Sequence, residues 1–314
     1  MFRHAAIAVL IAGSAAAGEA GPDAAAIFAS GEADQLWQRL SPDMQEAVGS
    51  ADALAELRAG LGDETQMIAE SSLKLNGLTT YRRLSEWDGS DEPLMLTLAS
   101  DDAGEISGFL LTPEPRLPDD DAPPVSGLQL PFAGEWLVFW GGDDLAHNYH
   151  AADPAQRYAV DLVIAEGGAS FDGDPLQLES YHCWDQPILA PAAGRVVAAI
   201  GDLPDQPIGE SDESAPAGNH VVIETAPQRY LFLAHLRQGS LGVAQGDEVA
   251  AGQQIGTCGN SGNTSEPHLH IHAQTEPVLG QGTGLPLEFT DYLSGGARVE
   301  NGALLRGQIV APAG

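Results

Sequence analysis

Apolar positions along this chain change their spacing once, and the change divides it. From about Phe28 to Gly60 they recur at helical intervals, with Leu36, Trp37 and Leu40 on one run and Leu54 and Leu57 on the next. Ser41-Pro42 supplies an N-cap with Pro at the first helical position, Ser50 opens the second run and Gly60 closes it. Two short amphipathic helices are predicted. Beyond them the apolar runs are short: Gly77 to Leu84, Pro93 to Ala99 and Ile106 to Thr112, with Asp101 to Gly104 reading as a hairpin turn. Residues 22–113 are therefore read as a small α+β domain. It holds no clustered His, Cys or paired carboxylates, so a structural or binding role is assigned to it.

Residues 114–128 carry four prolines, Pro115, Pro118, Pro123 and Pro124, and the acidic run Asp119 to Asp121, a composition that reads as a semi-rigid linker. From there to the C-terminus the pattern is strands. Leu130 to Trp140, Tyr158 to Ile164, Pro187 to Val197, Gly218 to Ile223 and Tyr230 to Leu236 are apolar runs, and Gly246-Asp247 and Gly252-Gln253 punctuate Val243, Val249 and Ile255. Residues 129–314 are thus expected to form a mainly β domain, an antiparallel β sandwich or barrel with little helix. Hairpins of the Ala-Pro-x-x-Gly-x-Val kind also occur in biotin- and lipoate-carrying modules, but those need a lysine at a hairpin tip. The sole lysine is Lys74, in the other domain.

Composition narrows the function classes. Against 45 Asp and Glu stand 13 Lys and Arg, a formal net charge of −32, which repels nucleic acid and anionic membrane surfaces. At the N-terminus Arg3 and His4 precede an apolar run to Ala12 and an Ala-x-Ala pattern at Ala15 to Ala17, the layout of a secretory signal peptide over residues 1–20. An exported protein, periplasmic or extracellular, is expected. No integral membrane segment is predicted, because no later stretch approaches about 18 uninterrupted apolar residues. Only Cys183 and Cys258 are present, outside any Cys-x-x-Cys pair; in an oxidising compartment they fit either one disulfide or two core thiols. Nothing in the sequence fixes the oligomeric state.

The candidate chemistry concentrates in one stretch. Gly259 to Gln274 runs through a Gly, Asn and Ser turn and Pro267 into His268, His270 and His272, which an extended strand would place on one face. His235 lies in the apolar run before it. Imidazole is both a common zinc ligand and a base matched to neutral pH. Upstream, Asp161 sits among Ala, Val, Leu and Ile, and a carboxylate in such a strand asks for a cation or a partner. Histidines also occur at His147 and His150, eleven residues before Asp161 in the second case. His182 and His220 read as ordinary surface or core residues.

Tyr230 to Leu236 with His235, then Gly-Asp, Gly-Gln, Ile255-Gly256, Gly259-Asn260-Ser261-Gly262 and His268-Leu269-His270, resembles the lysostaphin and LytM type of zinc metallopeptidase. The resemblance runs from about Trp136 to Gln274 and implies a lysostaphin-like fold and hydrolysis of peptide bonds in peptidoglycan. It further implies that His270 and Asp161 are zinc ligands, and that His235 and His268 are the two non-ligand histidines, one moving the proton and both holding the oxyanion. One position departs from the family pattern. The usual His-x-Gly-x-Asp reads Arg157-Tyr158-Ala159-Val160-Asp161, and Arg157 cannot coordinate zinc. A subset of the family resembles this chain in carrying Asn-x-His some ten residues before the Asp, so His150 is expected to supply the missing imidazole, with His147 as the alternative.

Three ligands, His150, Asp161 and His270, leave a fourth zinc position for water, the arrangement of a catalytic rather than a closed structural site. His272 shares the face but lies one pair further on; it is read as second to the ligands or at the rim. The expectation is one zinc per chain and a zinc metalloendopeptidase acting on peptidoglycan or another peptide substrate. Two other readings stay open: a catalytically inactive wall-binding or hydrolase-activating module of the same fold, and a closed structural zinc site.

Overall fold

A computed structural model describes residues 20–119 and 122–314, so the expected signal segment, Ala20 apart, lies outside the described residues, as do Asp120 and Asp121 of the acidic run. The chain divides into two compact units between Arg116 and Leu117. Among the described residues no helix is long and apolar enough to cross a membrane.

Among its described residues the first unit has four helices where two were predicted: α1 (Ala20–Ser30), α2 (Ala33–Trp37), α3 (Pro42–Val48) and α4 (Ala51–Gly60). The predicted caps form, since Ser41 Oγ accepts from the Met44 amide at 3.2 Å and Ser50 Oγ from the Ala53 amide at 3.0 Å. An antiparallel sheet follows in the order β1 (Glu64–Leu75), β2 (Leu78–Trp87), β3 (Leu94–Ser100) and β4 (Ile106–Pro113). Strand β1 went unpredicted because most of its residues face solvent and are polar, so it has no apolar alternation. At the β3–β4 turn Asp101 Oδ1 accepts from the amides of Ala103 and Glu105, both at 2.9 Å, while Gly104 takes a left-handed backbone. Phe28, Leu36, Leu54, Tyr81 and Leu98 pack as this unit's core.

The second unit is mainly β. Its strands are β5 (Val125–Leu128), β6 (Trp136–Trp140), β7 (Val160–Val163), β8 (Pro187–Leu189), β9 (Gly194–Ile200), β10 (Asn219–Ala226), β11 (Arg229–Leu236), β12 (Glu248–Val249), β13 (Gln254–Thr257) and β14 (Leu269–Gln274). The chain ends with β15 (Gly284–Leu285), β16 (Leu287–Ser294), β17 (Ala297–Gly302) and β18 (Ile309–Pro312). Twelve of these form one sheet whose main path is β12-β9-β10-β11-β14-β7-β6-β18-β16-β17, with β15 on β14 and β5 on β16; β13 and β8 pair separately. Two expectations are corrected here. The stretch read as linker to residue 128 ends in strand β5, because Val125 and Leu128 are buried and pair with β16, and this pairing is parallel within an otherwise antiparallel sheet. The run from Leu130 to Trp140 is strand only from Trp136, since Phe132 and Trp136 stack at 4.8 Å across an irregular turn.

Strand β14 lies between β11 and β7 and is buried on both faces. Leu269, Ile271 and Ala273 enter the apolar core with Leu162, Leu231 and Leu233. Period-2 alternation therefore turns His270, His272 and Gln274 together to the other face. The core row fixes the register, and a slip of one residue would send the histidines inward.

Candidate active site

The cross-strand register assembles the site. Asp161 on β7 is the Cα partner of His270 on β14, and His270 is the partner of Ala234 on β11. His235 follows Ala234, and in an unbroken strand it would point to the opposite face. A bulge opposite His220 prevents that: Asn219 pairs with Leu236 and Val221 with Leu233, leaving two residues against one, and His235 adopts φ 61°. Its ring then stands 4.7 Å from that of His268 and 5.7 Å from that of His270.

Asp161 is the hub. Its Oδ2 lies 3.0 Å from His150 Nε2, its Oδ1 lies 2.8 Å from His270 Nδ1, and His268 Nε2 is 3.9 Å from Oδ1. Burial by itself would raise this carboxyl, but the neighbouring imidazoles, that of His150 above all, outweigh it and hold the group well below the usual carboxylate range. His150, Asp161 and His270 are 7%, 5% and 3% exposed, and one ligand atom from each falls within 4.8 Å of the others. Two imidazole nitrogens and a carboxylate oxygen are a donor set that suits zinc, so these residues fit a metal of that kind.

His150 reaches the group from a single 3-10 turn at Tyr149–Ala152. Asn148 makes this possible: its Oδ1 accepts from the His150 amide at 3.1 Å while its Nδ2 donates to Gly142 and Ala159 carbonyls, both at 2.9 Å, tying the turn to the start of β7. Tyr149 covers His150, ring centroids 3.9 Å apart, and Trp140 meets Tyr149 edge-on at 5.4 Å. His147 points elsewhere and pairs through Nδ1 with Asp144 at 2.8 Å. Arg157 is no part of the group.

His235 and His268 share a feature that the sequence did not predict. Nδ1 of His235 lies 2.9 Å from the Ser261 carbonyl, and Nδ1 of His268 lies 2.8 Å from the Glu266 carbonyl. A carbonyl oxygen only accepts, so in both rings Nδ1 carries a proton and donates, and the ring's other nitrogen, Nε2, is the one left for chemistry. Burial and the neighbouring rings of His268 and His270 push His235 well below the ordinary histidine value, which keeps it neutral. Ser261 holds the loop itself, its Oγ accepting from the Asn219 amide at 2.8 Å and donating to the Leu236 carbonyl at 2.7 Å. His268 precedes β14 rather than lying in it, and Thr264 Oγ1 stands 3.1 Å from its Nδ1.

A cleft of about 580 Å³ opens over the cluster, with Tyr149, His150, Asp153, His235, Asn263 and His270 among its walls. His182 is outside the cluster, and His220 donates from Nδ1 to the Gly218 carbonyl at 2.8 Å. Cys183 and Cys258 are buried free thiols, and Cys183 Sγ donates to the Pro267 carbonyl at 2.8 Å, one residue before His268. Asn148 and Ser261 lie inside motifs quoted from the sequence but had no role assigned there; Thr264 and Gln274, missed altogether, are polar side chains with no spacing of their own, and their only signal was nearness to a histidine.

Residues 181–279 match peptidase family M23. A stretch of 76 residues, 23% of this chain, is 37% identical to the peptidoglycan DD-endopeptidase ShyA of Vibrio cholerae and spans 16% of that protein's length. Among solved structures, the catalytic domain of the antimicrobial peptidase lysostaphin from Staphylococcus simulans is similar at 20% identity over 48% of this chain and 86% of that one, TM-score 0.29. A zinc-containing peptidase from Vibrio cholerae is similar at 15% identity over 67% and 57% of the two chains, TM-score 0.27. The resemblance read from the motifs is thus found over the C-terminal part of the chain. The matched segment holds His235, His268 and His270, while His150 and Asp161 lie before it.

Proposed function

From a second unit whose residues 181–279 match peptidase family M23, we propose that this protein is a zinc metalloendopeptidase that hydrolyses peptide bonds in peptidoglycan cross-links. The observation that carries the reading is the buried group of His150, Asp161 and His270, open to a cleft and flanked by two imidazoles whose Nδ1 atoms are engaged by backbone carbonyls. His150, Asp161 and His270 would hold one zinc ion. When bound, zinc supplies Lewis acidity, lowering the pKa of a water toward neutrality and polarising a carbonyl.

The chain's own residues do the rest. The carboxylate of Asp161, ionised through its surroundings, lowers the net charge at the centre and orients the His150 ring. Nε2 of His235 or His268 accepts the proton of the attacking water and returns it to the departing amine. After that transfer the ring is a double donor, able to hold the developing oxyanion. The carbonyls of Ser261 and Glu266 keep each Nδ1–H in place, so neither ring has to reorganise to offer its Nε2.

The residue at position 157 favours a second reading. Arg stands where the first ligand of the family pattern is expected, and a chain whose His150 failed to bind would serve as a wall-binding or hydrolase-activating module. Metal analysis of the purified protein should give one zinc per chain. His150→Ala should lose it and Arg157→Ala should keep it. Purified peptidoglycan should be turned over by the wild type and not by His235→Ala that still holds zinc. A wild type without zinc sinks the enzyme reading; a zinc-loaded wild type without turnover leaves the binding module. The export pattern at residues 1–20 supports a periplasmic or extracellular location, which N-terminal sequencing of the mature protein tests by the loss of that segment.

A further inference from the structure

Gln274 is fully buried at the end of β14, and its amide nitrogen donates to three carbonyl oxygens, those of Glu276 at 2.7 Å, Val278 at 2.6 Å and Gln281 at 2.9 Å. Oxygens that only accept fix which way the amide faces: NH2 toward the turn, Oε1 away from it. Oε1 lies 3.3 Å from Nε2 of His272, so His272 carries its proton there and Nδ1 is an acceptor. That Nδ1 lies 2.9 Å from Nε2 of His270, which must then donate. Nδ1 of His270 is left with a lone pair, 2.8 Å from Oδ1 of Asp161.

We propose that Gln274 and His272 form a one-way hydrogen-bond relay, anchored on the carbonyls of residues 276–281, that sets the tautomer of His270 and makes its Nδ1 the metal-binding atom. Both are positioning residues, and the inference rests on reading His150, Asp161 and His270 as metal ligands. The opposite polarity would turn the Gln274 oxygen onto three carbonyl oxygens in a buried site, an arrangement that leaves acceptors facing acceptors. Strand geometry supplies the line: positions 270, 272 and 274 share one face, and Phe232, the cross-strand partner of His272, stacks on its ring at 4.6 Å and 11°.

The relay changes what His270 and Asp161 are to each other. With its proton on Nδ1, His270 would donate to Asp161, and a metal would have to displace that hydrogen bond to reach either atom. With the proton held on Nε2, two lone pairs face one another at 2.8 Å, and they repel until a cation lies between them. The pair is thereby kept as ligands.

Histidine-selective 15N labelling of the metal-free protein, read by long-range proton–nitrogen correlations, gives the tautomers directly. The wild type should show Nε2–H at both His270 and His272. His272→Phe keeps the stack on Phe232 but removes both ring nitrogens; His270 should move to the Nδ1–H form, and zinc affinity measured by chelator competition should fall about 10- to 100-fold. His272→Asn, whose side-chain oxygen can take the place of Nδ1 as acceptor, should restore the His270 tautomer and most of the affinity. An Nδ1–H form of His270 in the wild type overturns the relay, as does unchanged zinc affinity in His272→Phe. A wild type with the expected tautomers that takes up no zinc upholds the relay's polarity and overturns the metalloenzyme reading. Should a variant not fold, the wild-type spectrum alone decides the polarity.

Discussion

His235 adopts φ 61°, a left-handed backbone that costs a residue with a Cβ about 1–2 kcal/mol. Its amide donates to the Ala217 carbonyl at 3.1 Å and its ring to Ser261 at 2.9 Å, so the surroundings impose the conformation at the atom where a base is wanted. Nearby, Glu266 offers a residue-scale test in solution. Burial lifts its carboxyl to about 7, so the folded protein prefers it protonated. Because the folded value lies above the unfolded one, this group favours the fold below the ordinary carboxylate value, and the contribution is lost as pH rises toward 7. Melting temperature should therefore decline between pH 5 and pH 8, and Glu266→Gln, which cannot ionise, should decline less over the same window. Parallel curves for the two proteins would refute the assignment.

At the scale of elements, the loop from Gly259 to Gly262 matters as much as β14. A Cβ on Gly262 would lie 2.4 Å from the Gly218 amide nitrogen and 2.7 Å from the Ala215 carbonyl, at a backbone φ of 88°. Two backbones cross there with no room for a side chain. Gly262→Ala should push Ser261 off Nδ1 of His235, lowering kcat/KM at least about tenfold and stability by about 1–3 kcal/mol; assay and thermal melt together check this, and an unstable but fully active variant would contradict it. What was legible from sequence follows the same division. Ser41 and Ser50 announce their helices because a cap acts over three residues. His270 and Asp161 announce themselves because a charged or titratable group in an apolar strand needs a partner. The bulge at His235 and the amide orientation of Gln274 depend on which strand lies alongside, and α1 was obscured because its alanines continue the small-residue tail of the expected export segment. The parallel β5 and the strands after Gly284 depend on a sheet closed by the last residues of the chain, which no local period reports.

The whole molecule carries two cores, one per unit, and all the clustered histidines belong to the second. A fragment spanning Leu117–Gly314 should fold cooperatively and bind zinc with the stoichiometry of the full chain; a fragment that folds and binds none would show that the first unit helps to build the centre. Site assembly also has an order imposed by topology. Asp161 and His270 are 109 residues apart, and β14 lies between β11 and β7 in the sheet. Contacts of such long sequence separation form late, after the entropy of closing the intervening chain has been met. A chain still emerging from the ribosome thus has every histidine of the cluster before it has a centre. On the proposed reading, any hydrolytic activity would appear only once β14 is seated beside β7.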